Sequence, residues 1–402
     1  MNFFEAYDWN TILQEYPVQN YDIKAYHKIL SPDYPDFINK YTELPLLQRL
    51  KGIGLLCGTD WTSLYKNRFY YSRLDHSIGV ALIIWHFTKN KAQTIAGLLH
   101  DVSTPVFSHV SDFRKGDALT QTVTEEDNEG MIKSDQALNK LLMEDGLSVE
   151  DVKDYHKYPV ADNEIPQLSA DRLEYMFPSG MALHGSWTLE EIERCYNDIK
   201  ILQNEEGLPE LGFCTNEIAE LYCQKVCMTG HILQLNENKL CLNLLGEVMN
   251  LAVKQKILAE TDFMTLSESK IIQKLEEKFS ESKSNKNDAV KDEFRDKLNC
   301  DSRLFRLYKT FRTMTKIEHT DKPLFADEYY NISLKVKQRY INPLVKINAN
   351  SKPDCNSEIQ SQEKMQASAV RLSQISTKAK KIIDDFIEYK DTEFGCVKLW
   401  QA

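Results

Sequence analysis

The stretch GLLHDVSTPVFSHV, Gly97 to Val110, decides how this chain is read. An apolar run ends in a histidine–aspartate pair, His100 and Asp101, and another histidine, His109, follows nine residues after His100. Ser103, Thr104 and Pro105 stop the preceding helix, Ala92 to Leu99. Upstream, DHSIGVALIIWHF (Asp75 to Phe87) is apolar on nearly every side, the pattern of a helix buried in a core. Gly79 in its middle would let a second helix approach closely. The short turn from Phe87 to Lys91 makes the two helices antiparallel neighbours, so His76, at the start of one, meets His100–Asp101 at the end of the other.

The rest of the chain reads as mainly α. Leu44 to Leu56 is predicted as a helix with Leu44, Leu47, Leu50 and Leu55 inward. Thr188 and Glu191 have capping-box spacing before an amphipathic segment containing Ile192, Cys195, Tyr196 and Ile199. Thr11 to Tyr41, rich in Tyr, Pro and Asp, reads as irregular turns or short strands instead of one continuous helix. The polar stretch Phe113 to Asn128 reads as an exposed loop or lid. Ser280 to Asp292 and Asn348 to Gln366 read as polar connectors, the latter before a last helix around Ala379 to Phe386. The expected organisation is an N-terminal segment over 1–45, a core over 46–265, and a more divergent helical region over 266–402.

Composition excludes several classes. The 402 residues are 42% hydrophobic and 27% charged, as in a soluble globular protein, with a net charge of −11. That charge counts against broad duplex binding, which needs a basic face, and leaves room for a small anion held by a metal and a few arginines. The longest apolar run, Val80 to Trp85, is far short of a membrane span. The opening MNFFEAYDWN has no basic region of a signal peptide. Nine cysteines occur without a CxxC, and only Cys223 and Cys227 lie close, at helical spacing, which reads as buried thiols. The expected setting is cytoplasmic and reducing, with no membrane association.

Imidazoles and carboxylates are ligands for one divalent ion such as Mn, Fe, Ni, Zn or Mg. His76, His100 and Asp101 supply three. Asp171, at the head of the apolar helix in LSADRLEYMF, is the expected fourth. Two histidines and two aspartates nearly neutralise a dication and leave positions for water and a phosphate oxygen. Arg73, three residues before His76, and Tyr175, four after Asp171, fall on matching helix faces, and His109 could reach a phosphate. Each piece alone is weak. His27, His86, His156, His184, His231 and His319 read as ordinary core or surface histidines.

The order of the pieces carries more. YSRLDHSIGV, then AGLLHDVSTPVFSHV, then LSADRLEYMF resembles the HD-domain metal-dependent phosphohydrolases, in particular the deoxynucleoside triphosphate triphosphohydrolase branch. Weaker agreement extends from LQRLKGIG to KQRYINPLV, the latter similar to the branch's basic C-terminal segment. The resemblance implies an HD helical bundle with added helices. It also implies His76, His100, Asp101 and Asp171 as metal ligands, and Arg73, His109 and Tyr175 as substrate-binding or supporting groups.

The chain departs from that pattern at several positions. Thr104 stands where the branch commonly has another histidine. Asn128–Glu129 stands in place of a histidine–glutamate pair whose histidine assists the leaving group, and asparagine is no general acid at pH 7. Gly52 replaces a sugar-gripping glutamine, and Pro178–Ser179 an Arg-Asp pair. The expected activity is hydrolysis of a nucleotide or other phosphorylated small molecule by metal-activated water, of triphosphohydrolase type. Asp101, Glu129 and His109 are the expected catalytic residues. The alternatives are a phosphodiesterase or nuclease on single-stranded nucleic acid, a less favoured partner given the charge, or an impaired nucleotide-binding assembly protein. The resemblance further implies a homo-oligomer.

Overall fold

Ser72 opens the helix that carries the first half of the motif. Its hydroxyl accepts from the Asp75 amide at 3.1 Å while Asp75 Oδ2 accepts from the Ser72 amide at 3.2 Å. This reciprocal cap satisfies two of the N–H groups a helix start leaves free. The chain, described here by a computed structural model over residues 2–6, 8, 21–120, 127–284, 293–347 and 369–401, is mainly α-helical.

Helix α1 is Ile23–Leu30. Helix α2, Arg73–Thr88, buries Val80, Ala81, Leu82, Ile83 and Ile84 completely, as its apolar circumference requires. Lys89 takes a left-handed conformation (φ 50°), and Asn90 then caps helix α3, Lys91–Leu99, through its Oδ1 and the Gln93 amide. Gly97 lets the two helices touch: a Cβ there would lie 2.3 Å from Ile84 Cδ1. This hairpin juxtaposes the start of α2 with the end of α3. Helix α4 is Val110–Lys115 and α5 is Asn128–Ser134. Helix α6, Ala170–His184, is capped by Ser169 and packs across α2; α7 is Leu189–Asp198, with the Thr188–Glu191 capping box in place.

A hairpin follows, β1 (Ile199–Gln203) and β2 (Pro209–Phe213), then the long helices α8 (Asn216–Gln234) and α9 (Asn236–Lys254). Beyond them run α10 (Glu268–Ser284), α11 (Glu293–Thr313), β3 (Glu318–Thr320), β4 (Tyr329–Ile332), β5 (Leu344–Lys346), β6 (Ala369–Arg371), α12 (Thr377–Glu388) and β7 (Phe394–Lys398). One sheet has the order β1-β2-β5-β6, with β2 and β5 parallel and the other pairs antiparallel; the second is antiparallel β3-β7-β4. A continuous apolar core reaches from Phe4 to Leu399 and so runs through the position of the expected boundary after residue 265.

Two local expectations change. Leu44 to Leu56 is not one helix: a turn of α-helix at Pro45–Gln48 passes into a 3-10 turn at Arg49–Gly52 and then into extended chain at Ile53. Its four named leucines are nevertheless buried. Gly52 abuts Ser267, whose Cβ lies 2.5 Å from where a Gly52 Cβ would stand, so no side chain fits there. The described part of Thr11 to Tyr41 holds no strand; it forms α1 and short helical turns. Residues 121–126 of the expected lid, 285–292 of the first connector and 348–368, which contain the second, lie outside the described residues. No helix among the described residues is long and apolar enough to cross a membrane.

Candidate metal centre and its cavity

The hairpin and α6 bring four donor atoms together. His76 Nε2 lies 3.2 Å from His100 Nε2, 3.8 Å from Asp101 Oδ2 and 3.1 Å from Asp171 Oδ1. His100 Nε2 is 3.7 Å from Asp101 Oδ2 and 3.6 Å from Asp171 Oδ1. His76, His100 and Asp101 also form a tight three-residue group of potential ligands, all buried.

The partners of the two imidazoles show what the cluster accepts. His76 Nδ1 faces Glu174 Oε2 at 2.5 Å, and His100 Nδ1 faces the Gly97 carbonyl at 2.7 Å. Each Nδ1 therefore carries its hydrogen toward an acceptor, which turns the Nε2 lone pairs toward each other. Two facing lone pairs beside two carboxylates need a positive charge between them, and a divalent cation fits that donor set. The electrostatics say the same. Burial opposes a charge on His76, yet Glu174 and Asp171 outweigh it and push the imidazole up to about 10. Burial likewise opposes charge on Asp101, but Arg73, His100 and His76 hold its carboxyl far below the usual range.

Supporting contacts fix the ligands. Arg73 donates to Asp101 Oδ2 at 2.9 Å and through Nε to Ser108 Oγ at 3.1 Å; Ser108 donates in turn to the Gly54 carbonyl. Phe107 and Ser108 are consecutive left-handed residues (φ 64° and 52°), local strain of the kind that collects at functional sites. Thr104, the departure noted in the motif, donates to Asp101 Oδ1 at 2.8 Å, so it serves the cluster directly. Glu174 is fully buried and also accepts from the Tyr71 hydroxyl at 2.6 Å. Gly79 makes room for it: a Cβ there would stand 2.4 Å from Glu174 Oε1.

The cluster lines a cavity of about 160 Å³. His109, Tyr175 and Arg339 lie along it. His109 Nδ1 is held by the buried Asp112 carboxylate at 2.9 Å. Burial lowers its pKa against the pull of Asp112, and Arg339 adds to the lowering. The Tyr175 hydroxyl is buried with no hydrogen-bond partner, and burial pushes its pKa up to about 12. Arg339, from the KQRYINPLV segment, forms no ion pair among the described residues and acts on both His109 and Tyr175. The Tyr155 ring sits 5.0 Å from that of His100.

Of the expected site residues, the structure gathers Arg73, His76, His100, Asp101, His109, Asp171 and Tyr175 around one cavity. Glu129 is not brought there. It is half exposed on α5, paired with Lys133 and, at 2.8 Å, with Lys153. The two lysines hold its carboxylate near 2, so it is a poor proton carrier where it stands. Sequence reasoning missed Glu174, Asp112, Tyr155 and Arg339 individually. Glu174 had a legible signal: three residues after Asp171, it lies on the same face of the helix.

No family model matches the chain. It is 30% identical over 184 residues, 45% of its length, to the uncharacterized protein YdhJ of Bacillus subtilis, of which that match covers 54%. It is 25% identical over 154 residues, 38% of its length, to the metal-dependent phosphohydrolase cns2 of Cordyceps militaris, of which the match covers 43%. The chain thus spans about half the length of the curated relatives it matches. A phosphohydrolase from Bacteroides thetaiotaomicron superposes with a TM-score of 0.55 at 13% identity, over 90% of this chain and 95% of that one. A hypothetical protein from Aquifex aeolicus gives 0.54 at 15% identity, over 91% and 92%. At such identities these two structures speak to fold alone.

Proposed function

We propose that this chain is a metal-dependent phosphohydrolase of the HD type, acting on a nucleotide or a similar phosphorylated small molecule. The observation that carries the reading is the convergence of His76, His100, Asp101 and Asp171 on the wall of a cavity. That cavity also offers a guanidinium, Arg339, and a phenol, Tyr175, that are unpaired among the described residues. The name of the Cordyceps relative agrees with it. When bound, the cation supplies a Lewis acid and makes water a competent nucleophile near neutral pH.

The chain's own residues do the rest. Asp101, fixed by Arg73 and Thr104, and Asp171 offer the anionic half of the ligand set. Arg73 and Arg339 place positive charge beside the cavity, where phosphate oxygens would gain charge as the ester bond breaks. The Tyr175 hydroxyl donates to the same oxygens. His109, neutral at pH 7 and oriented by Asp112, holds or moves a proton at Nε2. The net charge of −11 favours a small anion held locally over a continuous strand. Release of intact triphosphate from a deoxynucleoside triphosphate is the specific activity we assign to it.

The test is a panel of ribo- and deoxynucleotides with Mn, Fe, Ni, Zn or Mg, resolving phosphate, pyrophosphate and triphosphate. Triphosphate release confirms the specific reading, and release of phosphate or pyrophosphate alone retains only the phosphohydrolase. Absence of turnover with every ion, together with tight nucleotide binding, refutes the enzyme.

A further inference from the structure

A buried acid outside the metal cluster is linked to one of its arginines through the backbone. Glu268, the first residue of α10, is 1% exposed, and no lysine or arginine pairs with it among the described residues. Its carboxylate accepts only from neutral donors, through Oε1 from the Gly54 amide at 2.9 Å and through Oε2 from the Trp61 indole at 2.8 Å. Burying a carboxylate without a counter-ion is costly, so what it holds in return is informative. Gly54 lies between two backbone bonds: the Leu55 amide donates to the Tyr71 carbonyl at 2.9 Å, and the Arg73 amide to the Ile53 carbonyl at 2.8 Å. In this antiparallel pairing of Gly54 with Ser72, the amide and carbonyl of Gly54 both point away from the partner strand. The amide meets Glu268. The carbonyl accepts from the Ser108 hydroxyl at 3.2 Å. With its hydrogen so directed, Ser108 Oγ presents a lone pair to Arg73 Nε at 3.1 Å, and Arg73 Nη1 continues to Asp101 Oδ2. Gly54 also lets the acid come close, for a Cβ there would stand 3.3 Å from Glu268 Oε2 and 3.1 Å from Asp60 Oδ2.

We propose that Glu268 is a positioning residue for Arg73, acting through the Gly54 backbone and the Ser108 hydroxyl to aim the guanidinium at an anion in the cavity. The carboxylate fixes the Gly54 segment, Gly54 sets the direction of the Ser108 hydrogen, and Ser108 holds the plane of the guanidinium. Arg73 lines the cavity, and its Nη2 has no hydrogen-bond partner among the described residues, which leaves that donor for a tetrahedral anion. Held at Nε and Nη1, the guanidinium gives up little freedom when an anion binds. Ser108 reaches both partners from a left-handed backbone, strain that a mere filler of space would not need. Helix α10 thereby takes part in a site whose metal donors all come from the α2–α3 hairpin and α6.

This inference rests on the phosphohydrolase reading for the anion, but its test is a binding measurement that turnover does not enter. Calorimetry of the full chain with Mn at pH 8, titrated with sulfate as the tetrahedral dianion, compares Glu268→Met and Glu268→Gln with wild type. Methionine has the length of glutamate but is only a weak acceptor, whereas glutamine keeps an oxygen for the Gly54 amide. Sulfate affinity falls about tenfold in Glu268→Met, the scale of one hydrogen bond to a charged group, and by less than about twofold in Glu268→Gln. In a Ser108→Ala background the link is already cut, and Glu268→Met lowers affinity no further. A general loosening of the fold would lower it by the same factor in both backgrounds. Glu268→Asp, too short to reach Gly54 and Trp61 together, repeats the comparison where the Met variant does not fold. Wild-type affinity in Glu268→Met, or an equal loss with and without Ser108, overturns the proposal. Mn-dependent hydrolysis of p-nitrophenyl phosphate by the wild type reports on the phosphohydrolase reading alone. Turnover there, combined with sulfate binding that ignores Glu268, rejects this inference and leaves that reading standing.

Discussion

Alanine at Gly79 tests the packing that aims the His76 imidazole. The added methyl would sit 2.4 Å from Glu174 Oε1, 2.7 Å from its Cγ and 2.8 Å from its Cδ, where non-bonded carbons settle at about 3.5–4.0 Å. Glu174 has nowhere to retreat, because its two oxygens hold the Tyr71 hydroxyl and His76 Nδ1. Overpacking of this kind costs about 1–3 kcal/mol, and the better helix propensity of alanine offsets about 1 kcal/mol of it. The net loss is up to about 2 kcal/mol. In a Glu174→Ala background the carboxylate is gone, the methyl has space, and the same substitution instead stabilises by about 1 kcal/mol. Urea denaturation of the four proteins in metal-free buffer, followed by circular dichroism, should give a coupling of about 1–3 kcal/mol. Gly79→Ala alone should also weaken Mn binding by about ten- to a hundredfold, the usual effect of losing the group that orients a ligating histidine. An equal cost of Gly79→Ala in both backgrounds would refute the close-contact argument.

Other outcomes follow from the same geometry. Asp101→Ala should lose bound metal and hydrolysis together, as measured by elemental analysis and phosphate release; full metal occupancy would remove Asp101 from the ligand set. Tyr175→Phe deletes a hydroxyl without a partner, so stability should hold or rise by up to about 1 kcal/mol, while KM for a nucleotide rises about tenfold; an unchanged KM would free Tyr175 from phosphate binding. His184 is held down at about 3 by burial, with Arg68 and Lys225 adding to the effect. Below pH 6.5 the unfolded chain therefore binds more protons than the folded one. Stability falls as pH drops from about 6.5, by about 2 kcal/mol at pH 5 from this residue alone. In His184→Asn the acid-side slope between pH 7 and 5 should flatten by that amount, and an unaltered slope would contradict the assignment.

The metal cluster was legible because its residues recur in a fixed order on helices whose apolar runs declare themselves. His76 and His100 sit at adjacent ends of one hairpin, and a sequence shows such ends. Asp171 needed the third motif, since nothing local ties it to residues about 70 and 95 positions earlier. Glu174 had its signal in the three-residue spacing from Asp171, but its partners His76 and Tyr71 lie on α2 and just before it, which only the packed structure brings alongside. Arg339 stands in irregular chain where no periodicity speaks. Glu129 shows the opposite error. A polar stretch of uncertain path leads into it, and spacing along such a stretch fixes no direction in space. The small strands went unread because three-residue pairings such as Leu344–Lys346 with Ala369–Arg371 are too short for alternation to show.

The β1-β2-β5-β6 sheet ties the cavity to a distant part of the sequence. Every donor of the metal cluster lies before residue 172. Arg339 lies only five residues before β5, and β5 joins β2 across a separation of more than 100 residues. Closing so long a loop carries an entropic cost that shorter hairpins avoid. Arg339 thus reaches the cavity through this distant pairing, whereas Arg73 arrives with the first motif.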